Sequence, residues 1–114
     1  MSAKEILILA KGYIDSPEKW TKGAQARDGI GEPTSYDDSD ATCFCIMGAI
    51  HKADSAYGDA NPDEMFSYSF EAGIRVIRAI KEFTSHRIVS DFNDDSLTSH
   101  GDVMQVMQWA IDNG

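Results

Sequence analysis

Apolar residues recur at helical spacing in four stretches of the chain. In the first, Ile6, Leu7, Leu9, Ala10, Tyr13 and Ile14 make one broad face. Ser2 and Glu5 have the spacing of a capping box that would start this helix, and Asp15-Ser16-Pro17 ends it. Ser16 and Pro17 then suit the N-cap and first position of a short turn carrying Trp20. The second stretch predicts a helix from Cys43 to about Ala56, capped by Ser39 or Asp40, with Cys43, Met47 and Ile50 on one side. The third begins at Asn61-Pro62-Asp63-Glu64, a cap, a proline and first-turn acids, and continues to Phe83. Phe66, Phe70, Ile74 and Ile77 form its apolar stripe, with Met65, Ile80 and Phe83 beside it. Glu71 with Arg75, and Arg78 with Glu82, have the spacing of ion pairs on a solvated face. In the fourth, Ser99 and Asp102 resemble a cap pair ahead of Val103, Val106, Met107, Ala110 and Ile111.

The segments between are irregular. Residues 23–40 hold three glycines, a proline and many turn formers, with a small hairpin expected around Asp28 to Glu32. Residues 87–99 read as a connector with a brief extended piece at Ile88-Val89. No repeat or second domain is evident. The expected architecture is a mostly α, compact single domain over residues 1–114. It has about four helices, a long irregular acidic loop and a short hairpin.

Composition supports a globule: 42% of the 114 residues are hydrophobic and no apolar run is long enough for a membrane span. The N-terminal segment has no small-residue cleavage site after its apolar middle, so no signal peptide is expected. Two cysteines without an export signal point to a reducing cytoplasm.

Charge changes the picture more. The formal net charge is -9, and the acids are segregated. Asp28, Glu32, Asp37, Asp38 and Asp40 precede His51 without a Lys or Arg among them. Asp91, Asp94, Asp95, Asp102 and Asp112 follow Arg87 in the same way. Such a surface repels phosphate backbones, so direct nucleic-acid binding is disfavoured. It attracts a basic protein surface and speeds the encounter with one. Plain solubility is the alternative account of the same charge.

Candidate chemistry centres on Cys43 and Cys45. On a helix, residues two apart point about 200° away from each other, so the two thiols would share neither a metal nor a disulfide. No metal site and no cofactor is expected. A catalytic thiol would draw on Cys43 or Cys45 with His100 or His86 and Asn93 or Asp94, the set Cys43, His100 and Asn93 first among them. Packing is the preferred reading, because free cysteine behaves as a small apolar group. Gly48 supports it: glycine inside a helix costs about 1 kcal/mol, so a close neighbour should offset it. The loop carrying Trp20 and Arg27 is one candidate for that neighbour. Arg27 would clamp its loop by pairing with Asp28, Asp37 or Asp40, or hold a ligand anion. The acid clusters lack the glycine and final glutamate of a calcium loop. No Walker A, G-x-S-x-G or H-E-x-x-H pattern is present.

Trp20, Gly23, Ala24, Ala26, Arg27, Asp28 and Gly31 are followed by an acidic turn, then by Ala41, Cys43, Gly48, Ala49 and Ile50, and later by Phe92-Asn93-Asp94. This order resembles an uncharacterised small-domain family of bacteria and their phages, whose members read W-x-x-G-x-x-A-R-D, C-x-x-G-A-L and W-N-D. Phe92 replaces the last motif's tryptophan, and the spacing from Cys43 to Gly48 differs. The resemblance carries no known activity. It implies that Trp20, Arg27, Asp28, Cys43, Asn93 and Asp94 meet in one cluster, and a phage or mobile-element origin. The function expected is a non-enzymatic acidic binding protein, an accessory factor or inhibitor docking on a basic protein surface. Asp37, Asp38, Asp40, Asp91 and Asp95 would form the contact. The alternatives are a cysteine-dependent hydrolase or transferase, and a small-ligand domain around Trp20 and Arg27.

Overall fold

A computed structural model describes residues 3–60 and 68–113. Helix α1 (Ala3–Tyr13) buries Ala3, Ile6, Leu7 and Ala10, and Ile14 continues the same stripe. Leu9, expected on that face, is largely exposed. Two residues of helix turn it to the far side of Leu7. The chain then makes a 3-10 turn at Pro17–Lys19 with Ser16 ahead of it, as Ser-Pro predicts. The expected cap at Ser2 lies outside the described residues.

A small antiparallel sheet follows, in the order β2-β1-β3, from β1 (Ala26–Asp28), β2 (Pro33–Thr34) and β3 (Ala41–Phe44). The expected hairpin is therefore the β1–β2 unit. Gly31, at φ +86°, takes the left-handed conformation of its turn. The Asp28 carboxylate accepts the N–H groups of Ile30 and Glu32, both at 3.0 Å, and organises the turn from inside.

The second helix, α2 (Ile46–Ala60), starts later than its apolar spacing predicts. Residues 41–44 pair with β1, and the β-branched and aromatic side chains of Thr42 and Phe44 suit that strand. Cys43 is thus on a strand and Cys45 at the strand–helix joint. Alternate residues of an extended segment share a side, so opposed helix faces do not separate the two thiols. Both cysteines are free.

Helix α3 (Ser69–Phe83) buries Ala72, Gly73, Val76, Ala79 and Ile80. Phe70, expected in the core, is 79% exposed, and Ile74 and Ile77 are only half-buried. The helix carries two apolar stripes, and the one built from small residues faces α1 and α5 because it permits closer packing. The predicted helix start at Asn61-Pro62-Asp63-Glu64, with Met65 and Phe66, lies outside the described residues. Arg75 does not pair with Glu71. Its guanidinium donates to the carbonyls of Ala110 and Ile111, at 3.2 and 3.3 Å, and satisfies the C-terminal turn of α5.

The expected extended piece at Ile88-Val89 instead opens a short helix, α4 (Val89–Asp94), which buries Val89, Phe92 and Asn93. Helix α5 (His100–Asn113) begins with the predicted reciprocal cap. The Ser99 N–H donates to Asp102 Oδ2 at 3.0 Å, and the Asp102 N–H donates to Ser99 Oγ at 3.1 Å. Val103, Val106, Met107, Ala110 and Ile111 are its buried face, as the spacing indicates. The molecule is mostly α: the described residues form four longer helices and one short one around the core, with the small sheet beside the start of α2. Among the described residues no helix is long and apolar enough to cross a membrane.

Candidate functional site

Asn93 is where distant parts of the chain meet. Its Oδ1 accepts the Trp20 indole N–H at 2.8 Å and the Ile46 backbone N–H at 3.0 Å. Its Nδ2 donates to the Thr21 carbonyl at 3.0 Å and to Asp94 Oδ1 at 2.9 Å. An amide side chain offers two donors and two acceptor positions, and here all four are used. The residue is 1% exposed, so this complete pairing is what makes its burial tolerable. One side chain thereby joins the Trp20 loop, the N-terminus of α2 and helix α4.

The start of α2 is held from two directions. Asn93 takes the N–H of Ile46, and Cys45 occupies the N-cap position. Its sulfur accepts the Gly48 N–H at 3.2 Å, and its carbonyl accepts the Ala49 N–H at 2.9 Å. Burial pushes the Cys45 thiol pKa up and outweighs the helix N–H groups that favour the thiolate; the nearby Asp94 charge adds to the rise. Cys45 is therefore a capping thiol that stays protonated at neutral pH. The C-x-x-G-A spacing of the motif is met by Cys45, Gly48 and Ala49, so Cys45 rather than Cys43 is the matching residue.

Gly48 explains the seating of the loop. A Cβ there would lie 2.0 Å from the carbonyl oxygen of Gln25. That same oxygen accepts the Cys45 N–H at 3.0 Å. The neighbour inferred from the glycine is the Trp20–Asp28 loop, at Gln25.

Arg27 does clamp its loop, but not through carboxylates. Its guanidinium donates to Thr21 Oγ1 at 2.9 Å, the Lys22 carbonyl at 3.0 Å and the Gly31 carbonyl at 3.1 Å. Lys22 behaves likewise: its ammonium donates to the carbonyls of Asp95 and Thr98, at 2.6 and 2.8 Å, and lies 5.2 Å from the centre of the Trp20 ring. Of the residues expected in one cluster, Trp20, Asn93 and Asp94 meet directly. Arg27 joins them through Thr21. Asp28 is engaged in the hairpin turn, and Cys43 sits opposite Arg27 in the sheet.

The residues proposed for a catalytic thiol are not brought together. His100 Nε2 lies 2.7 Å from the Ile14 carbonyl, and its ring lies against Trp20. Among the described residues no hydrogen bond or ring contact joins Cys43 to His100 or Asn93, and Asn93 has no group left to orient a histidine. His86 instead pairs with Asp95, Nε2 to Oδ2 at 2.8 Å, beside a cavity of about 370 Å³ between α3 and α5. Asp95 is held below the ordinary carboxylate range chiefly by the Leu97 N–H, then by His86. Among the described residues no group of three or more His, Cys, Asp or Glu side chains is placed to hold a metal ion.

The acids of the β2–β3 connection are arranged by their neighbours. Asp37 accepts the Ser35 hydroxyl, and Asp38 accepts the Thr34 hydroxyl and the Asp40 N–H. Those bonds to Asp38, the hydroxyl first, lower its pKa. Asp37, Asp40 and Asp91 are exposed. Tyr36 stacks on His51 with ring centres 5.5 Å apart and holds this acidic loop against α2.

With this geometry in hand, comparison with known proteins adds one finding. The model of a family of unknown function (DUF6197) matches residues 1–113. The chain belongs to that family. Neither a curated protein nor a solved structure matches it. For the DUF6197 chain, sequence reasoning named Cys45 and His86 only as candidates for thiol chemistry; it missed the capping role of Cys45, the His86–Asp95 pair, Thr21 and Lys22. The C-x-x-G-A spacing was the one available signal for Cys45; the others act through backbone carbonyls or a contact made only by folding.

Proposed function

We propose that this protein is a small acidic cytoplasmic binding protein, an accessory factor or inhibitor that docks on a basic, nucleic-acid-holding surface of another protein. The observation that carries this reading is where the nearby cations go. Arg27 and Lys22, the positive side chains closest to the acidic loop in sequence, bond to carbonyls and a hydroxyl and not to carboxylates. Glu32, Asp37 and Asp40 therefore remain exposed and unneutralised on one connected segment beside the sheet. The phage or mobile-element origin implied by the motif resemblance suits such a role. A cysteine-dependent enzyme has less support, since Cys45 is a protonated cap and His100 is turned to Ile14.

The test replaces Glu32 by Gln and Asp37 and Asp40 by Asn in one chain. Proteins captured from host cells on the wild-type chain should be released by raising salt to about 0.5 M. The triple variant should fail to hold them at low salt. If every captured partner stays bound to the folded variant, the reading is wrong.

A further inference from the structure

A cavity of about 300 Å³ opens beside the Asn93 hub, between residues 23–25, the start of α2 and helix α4. Ala24, Cys45, Met47 and Val89 give it apolar walls, and the exposed Asp94 is the one carboxylate among its lining residues. The orientation of that carboxylate is fixed from one side. The Gly23 N–H and Asn93 Nδ2 both donate to Oδ1, each at 2.9 Å, and Oδ2 has no partner among the described residues.

We propose that this cavity receives a lysine side chain from the basic partner protein, with its methylene stem against Met47, Val89 and Ala24 and its ammonium at Asp94 Oδ2. The inference rests on the acidic docking reading and names the group the docked partner would insert. An aliphatic stem ending in a cation matches an apolar wall with one charge on it. Lysine fits better than arginine. A guanidinium gains its advantage over an ammonium by gripping both carboxylate oxygens, and Oδ1 already accepts two N–H groups; a compact ammonium needs only one. The wall also stays neutral, because burial and then the Asp94 charge keep the Cys45 thiol protonated.

Cys45 supplies the readout. In a Cys43→Ser background, the rate at which N-ethylmaleimide alkylates Cys45 is followed by mass spectrometry. Nα-acetyl-lysine methylamide is the probe. At about four times its Kd it should slow alkylation about fivefold, as one-site occupancy requires. The Nε-acetylated form and the corresponding arginine derivative should slow it far less. Asp94→Asn should remove the protection. Its amide oxygen can still accept from Gly23 and Asn93, and an unchanged Trp20 indole N–H resonance would show the hub intact. Equal protection by the uncharged acetylated probe, protection that survives Asp94→Asn, or no protection of the wild-type chain would each overturn the inference. The hairpin acids are untouched in this experiment. Salt-sensitive docking that persists while Cys45 protection fails would therefore remove the lysine pocket alone.

Discussion

The carbonyl oxygen of Gln25 lies where a side chain on Gly48 would have to be, 2.0 Å from an ideal Cβ. Backbone cannot retreat as a flexible side chain can, and this carbonyl is also bonded to Cys45. The contact seats the Trp20 loop on α2 and makes position 48 one that only glycine fills.

Gly48→Ala should therefore cost about 3 kcal/mol, the upper end of the range for forced overpacking. Gly12 is the internal control. It is exposed in α1 and a Cβ there meets nothing within 4 Å. Gly12→Ala should stabilise by about 0.5 kcal/mol through the unfolded state and helix propensity. Urea unfolding of the two variants measures both signs.

Asn93→Ala leaves the Trp20 indole N–H and the Ile46 N–H without their acceptor and should cost about 3 kcal/mol. Asn93→Asp tests the amide's other side. It keeps an acceptor for both donors but sets a carboxylate oxygen against the Thr21 carbonyl and Asp94. The new carboxyl should have a raised folded pKa, so this variant's stability should fall as pH rises through that pKa. Unfolding midpoints at pH 4 and pH 7, each relative to wild type, give the comparison.

The pH dependence of the natural protein has the opposite sign. Asp38 is lowered chiefly by the Thr34 hydroxyl, Asp95 by the Leu97 N–H and Glu18 by its own backbone N–H. Their contribution is fully present above the ordinary carboxylate pKa, about 4, and is lost as pH falls through the lower folded values. Stability should fade below about pH 4, and solvent exposure keeps each contribution small. Asp38→Asn and Asp95→Asn together should flatten the acid limb of a plot of urea midpoint against pH.

Cys45 should react with iodoacetamide at pH 7 more slowly in the folded Cys43→Ser protein than in urea, because burial both shields the sulfur and raises its pKa. A folded thiol that reacts faster than the unfolded one would reopen the nucleophile reading.

Local rules were enough for part of this molecule. The Ser99–Asp102 cap, the buried face of α5, the stripe of α1 through Ile6, Leu7 and Ala10, and the Asp28–Glu32 turn all follow from residues within a few positions of one another. Their interactions close inside one helical turn or one hairpin. Gly48 reached further, since a glycine within a helix marks a close neighbour before that neighbour is known.

What remained was decided by packing. The sequence by itself determined that α3 is amphipathic. Only the folded chain selected Ala72, Val76 and Ala79 over Phe70 and Ile74 as its buried stripe, because close approach to α1 and α5 favours small residues over large ones. Arg27 has carboxylates nearby in sequence, yet its partners are the Thr21 hydroxyl and two carbonyls, and carbonyls are carried by every residue and revealed by no composition. Cys43 follows the spacing of a helix but pairs with Arg27 in a strand, since strand formation depends on a partner segment. Asn93 stood out in the sequence through its Phe92-Asn93-Asp94 motif, which implied a cluster but not what the amide would bond. It became the hub when Trp20, Thr21 and Ile46, remote along the chain, were brought within hydrogen-bonding reach of one amide.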